Sequence, residues 1–199
     1  GHQLPVCARD TGIYLGFVAC VLVIEALGRR RSEPPTLAVS GIGLALIGVM
    51  AFDGVTSYAG IRTTTNDIRL ATGLMAGFGM ALFAAPIVHA QLWRSPVRER
   101  VVSGPREVGL WLAALPAAFV VARWFLPLLG AGYAVLTAVC IVATFCWVNL
   151  AIVCLVPAFE GRAERLTDAW VALLLALALS ALEIGASALF RIWITRLLT

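Results

Sequence analysis

DGVTSYAGIRTTTNDIRLATGLMAG, residues 53–77, is the stretch on which the reading of this chain turns. Acids, arginines, threonines, an asparagine and glycines crowd here between two long apolar runs. Polar chemistry is thus concentrated between segments that otherwise read as membrane spans, and the stretch divides the chain into a helix that ends and a helix that begins. Working outward, the same alternation of long apolar run and short charged break recurs along the whole sequence.

Of 199 residues, 61% are hydrophobic and only 13% charged, with a mean hydropathy of +0.93. An ordinary soluble domain is far more polar. A helix needs about 20 apolar residues to cross a hydrocarbon core of about 30 Å. The spacing predicts an all-α, polytopic transmembrane bundle forming one domain over 1–199, with six spans at about 11–27, 36–52, 68–93, 107–129, 133–156 and 166–190. Gly28, the Glu33-Pro34-Pro35 turn, Gly130-Ala131-Gly132 and Pro157 punctuate these runs, because proline cannot continue a helix and restricts the residue before it. Pro116 predicts a kink in the fourth span. The first run has no basic region before it and does not read as a cleaved signal peptide.

The net charge of +4 comes from arginine alone, since the chain has no lysine. Most arginines lie between the apolar runs, which excludes nucleic acid as a partner and points to the positive-inside rule. Arg29, Arg30, Arg31, Arg94, Arg98, Arg100, Arg106, Arg162 and Arg165 fall in the first, third and fifth links. Arg9, Arg62, Arg69, Arg191 and Arg196 fall on the other side. Nine against five assigns the odd links to the cytoplasm and both termini, with the 53–69 connection, to the extracytoplasmic face. Cys20, Cys140, Cys146 and Cys154 sit in apolar runs as small hydrophobes, and the five cysteines do not form a disulfide framework.

Ionisable groups inside spans face the bundle interior or a water-filled cavity. Arg123, 16 residues along the fourth span, lies about 24 Å from its cytoplasmic end. Glu183 lies at a similar depth on the sixth, so an Arg123–Glu183 pair is expected. Gly73, Gly77, Ala81 and Ala85 recur four apart on the third span, and Gly12 and Gly16 on the first. Such small-residue stripes let helices approach closely, and this one turns Arg69 and Thr72 inward. His89 closes the third run and is expected at the membrane interface.

The outer end therefore gathers Arg9, Asp10, Tyr14, Asp53, Arg62, Asn66, Arg69, Thr72 and Arg123 as candidate ligand-binding residues. Guanidinium forks match phosphate or carboxylate, so the cluster suits an anionic or lipid-linked ligand. The competing reading is a self-satisfied network in which the acids neutralise the arginines and fix a loop. His2, Cys7 and Asp10 supply three potential metal ligands in one short segment, one fewer than a closed zinc site uses. No nucleophile elbow, zinc-protease helix, P-loop or dinucleotide fingerprint is present, and no cofactor is indicated.

The string Pro5-Val6-Cys7-Ala8-Arg9-Asp10-Thr11-Gly12-Ile13-Tyr14-Leu15-Gly16, with Asp53-Gly54, Thr56, Gly60, Arg62, Asn66, Arg69 and Thr72-Gly73, resembles the predicted bacterial membrane proteins called domain of unknown function 2085. The resemblance covers roughly the first 80 residues. It implies a multi-span protein of a bacterial plasma (inner) membrane and confers no known activity. The family pattern also has an upstream Cys-His-Gln element, a second cysteine where Asp10 stands here, and often a glutamine in place of Ser57. These departures weaken any metal or disulfide role.

Three functions are compatible with this reading: binding of an anionic or lipid-linked ligand, an accessory subunit of a larger membrane complex, or a small membrane enzyme or transporter. Membrane lipids are the expected partners, with other membrane-protein subunits the alternative.

Overall fold

In the computed structural model of this chain, residues 4–198 are described, with side chains described as far as residue 196. Among the described residues, six helices are long and apolar enough to cross a membrane. They are α1 (Ala8–Leu27), α2 (Leu37–Tyr58), α3 (Asn66–Leu92), α4 (Pro105–Val120), α5 (Ala131–Cys154) and α6 (Trp170–Leu198). The protein is an all-helical membrane bundle.

The helix boundaries follow local chemistry. Thr36 caps α2 by accepting from the Val39 amide at 3.4 Å, and Thr65 caps α3 by accepting from the Ile68 amide at 3.3 Å. Each bond satisfies one of the first four amides that a helix leaves unpaired. Cys7 plays the same part for α1, its sulfur accepting from the Asp10 amide. The turn after α2 uses Gly60 at φ 71°, in the left-handed region open to glycine. Because α2 continues to Tyr58, the first six residues of the opening stretch are helical, and the connection shrinks to 59–65.

The fourth and sixth spans differ in detail from uninterrupted α-helices. α4 passes through Pro116 without ending; the departure comes at Val121–Phe125, a π-helical turn, followed by a 3₁₀ turn at Leu126–Leu129. α6 begins later than expected and runs further, after a 3₁₀ turn at Leu166–Ala169.

α3 is the central helix, packed against α1, α2, α4 and α5. The glycine stripe explains how close α1 comes. A Cβ added to Gly12 would fall on the Leu70 carbonyl, one on Gly73 on the Arg9 carbonyl, and one on Gly77 within 2.5 Å of the Phe17 amide nitrogen. Backbone meets backbone here, so dispersion and packing hold the pair without help from the hydrophobic effect, which vanishes in lipid. Behind this seam lie Phe17, Cys20, Ile24, Phe78, Leu82 and Trp111, all fully or nearly buried. α6 packs chiefly on α5 and the turn before it, and past Ser180 every described side chain but Ile184 is exposed.

The three odd links meet at one end of the bundle, as expected, and are joined there by strand pairing that a purely helical reading did not foresee. Two short strands, β1 (Arg31–Glu33) and β2 (Val97–Arg100), pair in parallel. Val97 donates its amide to the Arg30 carbonyl at 3.0 Å. The third link joins the fifth through a Trp93–Ala163 bridge and the Arg94 amide on the Ala163 carbonyl at 3.0 Å. The N-terminus of α1 and the 59–65 connection lie at the opposite end.

Candidate functional sites at the two ends of the bundle

Only Val39, Gly43 and Asp53 are buried on α2. Asp53 is therefore the point at which the far half of this helix is tied to the bundle. Its carboxylate is 1% exposed. It accepts from Arg9 Nη2 of α1 at 2.7 Å, from the Thr72 hydroxyl of α3 at 3.2 Å, and from Arg62 Nη2 of the connection. One carboxylate thus ties together α1, α2, α3 and the turn. The Arg9 guanidinium is itself buried and lies 5.7 Å from the centre of the Tyr58 ring. Arg9 Nε and the Thr11 hydroxyl are buried without a hydrogen-bond partner among the described residues.

The remaining residues of the expected cluster go elsewhere. Arg69 is half-buried and donates Nε to the Thr64 hydroxyl at 2.9 Å. Asn66 is exposed at the start of α3. Asp10 accepts from the Cys7 thiol at 3.0 Å and pairs with no arginine among the described residues. Tyr14 turns toward α5, its ring centre 6.2 Å from that of Phe145. Arg123 does not meet Glu183: its Nε lies 2.6 Å from Asp67 at the start of α3, whereas Glu183 accepts from Asn149 of α5 at 2.9 Å. The expectation failed because Arg123, in the π-helical turn, pairs with Asp67 of α3, and because the main packing partner of α6 is α5.

Of the proposed metal ligands, His2 lies outside the described residues, and Cys7 and Asp10 are engaged with one another. Among the described residues no group of three or more histidine, cysteine, aspartate or glutamate side chains could hold a metal. All five cysteines are free.

The other end holds an arrangement that the sequence reading passed over. His89, expected at the interface, is 2% exposed. Its Nε2 lies 2.6 Å from Glu25 Oε1 on α1, and its Nδ1 lies 2.8 Å from the Arg31 carbonyl. A carbonyl only accepts, so the imidazole donates through Nδ1, while Nε2 lies at ion-pair distance from Glu25 without hydrogen-bond geometry. This bridge joins α1, α3 and β1. The signal that could have found it was Glu25, an acid inside an apolar run and one helical turn before Arg29.

Glu25 and His89 line a cavity of about 800 Å³ between α1, α3, α5 and α6. Its walls are apolar, with Val21, Val88, Trp147 and Leu150 among them, and Arg29, Arg30 and Arg165 stand around it. Arg30 is held with φ at 61°, a conformation L-residues rarely adopt. Its guanidinium lies 3.9 Å over the Trp93 ring and donates to the Glu164 carbonyl at 2.9 Å. Such outliers persist where the surroundings over-determine them. Two smaller cavities, of about 150 and 360 Å³, lie at the same end, beside Phe159 and Pro86 respectively.

Six apolar helices with a charged seam at each end define the class, a polytopic membrane protein. The profile of the predicted membrane protein family called domain of unknown function 2085 matches residues 1–83. An uncharacterized protein of Methanothermobacter thermautotrophicus is 36% identical over 89 residues, spanning 45% of this chain and 77% of its own. An uncharacterized protein of Methanocaldococcus jannaschii is 28% identical over 94 residues, 47% of this chain and 59% of that one. No solved structure matches the chain. The protein belongs to this family, whose function is unknown. Both relatives are archaeal, so the likeness does not place the chain in a bacterium. The family match takes in α1, α2 and most of α3, hence Arg9, Asp53, Arg62, Thr72 and Glu25, and ends before His89.

Proposed function

We propose that this protein binds a phosphate-bearing membrane amphiphile in the cavity at its arginine-rich end, and that the Asp53 cluster at the other end is a structural clamp. The observation that carries the reading is one cleft joining an apolar interior to three arginines. Ligand sites of this volume are largely apolar with a few placed polar groups. In a bilayer an apolar cleft between helices is filled by acyl chains, and guanidinium groups at its rim meet the phosphate. The positive-inside rule makes this rim the cytoplasmic face.

At the other end the acid is already saturated. Asp53 accepts from three side chains, Arg123 has Asp67 and Arg69 has Thr64. The leftover Arg9 Nε and Thr11 hydroxyl are too few to hold an anion beside a carboxylate. The anionic-ligand role expected for the outer cluster therefore moves to Arg29, Arg30 and Arg165.

Native mass spectrometry of protein extensively exchanged into detergent tests this. The expected result is about one phospholipid retained per chain and lost on combined R29Q, R30Q and R165Q substitution. Lipid-free protein, or retention indifferent to the triple substitution, overturns it.

A second reading, membership in a larger membrane assembly, draws on α6. Glu183 is exposed within an apolar span, and a charge at the membrane centre costs about 2.5–3.5 kcal/mol on insertion scales. Asn149 supplies part of its hydrogen bonding, and a basic group on a neighbouring helix would supply the rest. A photo-crosslinker at Leu182 in native membranes should give one discrete adduct that disappears in E183L. A smear of lipid adducts unchanged by E183L argues against a subunit.

A further inference from the structure

The cavity contains an acid as well as arginines, and the acid is the more informative group. Glu25 is held by His89 through Oε1, and its side chain is 33% exposed. The Arg31 carbonyl holds the opposite ring nitrogen at 2.8 Å, which fixes the imidazole beside Glu25. Oε1 lies against the imidazole, Oε2 has no hydrogen bond among the described residues, and Glu25 lines the cavity. Arg29 follows four residues later, just past the end of α1, and Arg30 is anchored over Trp93. A purely anionic headgroup would meet repulsion from Glu25. A headgroup carrying both a phosphate and a cation would meet a partner for each.

We infer that the site selects a zwitterionic aminophospholipid, the arginines taking its phosphate and Glu25 taking its primary ammonium. This rests on the amphiphile-binding reading above and specifies its headgroup. Glu25 accepts a hydrogen bond from the ammonium, so N–H groups matter as well as charge. The same chemistry sets the order of preference: phosphatidylethanolamine, which has both charge and N–H donors, binds ahead of phosphatidylcholine, which has the charge without the donors. Phosphatidylglycerol, with the phosphate alone, also falls behind. His89 is a positioning residue: it touches Glu25 and aims it.

The test is competition among these three lipids, with matched acyl chains, for the full chain in detergent, read by native mass spectrometry. Wild type should retain phosphatidylethanolamine about tenfold over each of the others, the scale of one charge-assisted hydrogen bond. E25Q should reduce the ethanolamine-to-glycerol ratio to about one while keeping lipid bound. Equal retention of all three by wild type overturns the inference and leaves amphiphile binding standing, and so does a preference that survives E25Q. Retention of none overturns both. The wild-type panel alone decides the matter if E25Q fails to fold.

Discussion

Replacing Asp53 by asparagine keeps its shape and removes its charge, and the consequence can be worked from its contacts. Three donors converge on this carboxylate: Arg9 Nη2 at 2.7 Å, the Thr72 hydroxyl at 3.2 Å and Arg62 Nη2. An amide offers one oxygen and one NH₂, so at least one donor then faces N–H against N–H. The larger cost is Arg9, whose side chain is 8% exposed and cannot reach water for compensation. Removing one member of a buried ion pair costs about 3–5 kcal/mol, because the other charge is left unpaired. At roughly 2–4 °C per kcal/mol for a chain of this size, the midpoint should fall by about 6–20 °C. Tryptophan fluorescence of detergent-solubilised protein on heating reads this directly. R62Q should cost about 1 kcal/mol or less, since the Arg62 side chain is 43% exposed and its charge is screened. R9Q combined with D53N should recover part of the loss, because a neutral pair leaves no buried charge. If D53N melted within a degree or two of wild type while lipid binding collapsed, the cluster would be a ligand site and the clamp reading would be refuted.

Gly77→Ala drives a methyl into the backbone of α1 near Ile13 and Phe17, and should cost about 1–3 kcal/mol; thermal melts check this, and Gly41→Ala, where nothing lies within 4 Å, is the neutral control. R123Q should change stability by less than about 1 kcal/mol, because both members of its pair with Asp67 are about half exposed. In intact cells a membrane-impermeant maleimide should label Cys7, exposed at the start of α1, and spare the buried Cys20, Cys140 and Cys154. Labelling of Cys7 only after the membrane is opened would reverse the orientation assigned by arginine bias.

Much of the architecture was legible because a bilayer constrains sequence so tightly. Apolar runs of span length and arginine-rich breaks predicted all six helices, and the small-residue stripes marked the first and third spans for close packing without showing that they pack on each other. Helix ends were less legible. Asp53 to Tyr58 reads as loop by polarity, yet it remains helical because Asp53 and Thr56 find partners inside the bundle or along their own helix. The Arg9–Asp53–Arg62–Thr72 grouping was anticipated as a set, though residue types alone do not reveal that one carboxylate would saturate three donors. Arg123 and Glu183 show where depth fails as a guide. Two groups expected at one level in the membrane can pair with different neighbours, Arg123 with Asp67 and Glu183 with Asn149. The cavity was invisible for a different reason: its charged residues come from α1, the link after it, α3 and the turn before α6, and nothing local ties Glu25 to His89 across 64 positions. The parallel strand pair that fixes Arg30 and Arg31 is equally nonlocal.

A structure of the protein crystallised from a lipidic mesophase doped with phosphatidylethanolamine bears most directly on the central claim. The account predicts a two-chained lipid in the cleft between α1, α3, α5 and α6, with phosphate oxygens within hydrogen-bond distance of Arg29, Arg30 or Arg165 and the ammonium against Glu25. A cleft closed by side chains, or lipid phosphate seated instead on Arg9 and Arg62 with Asp53 displaced, would contradict it.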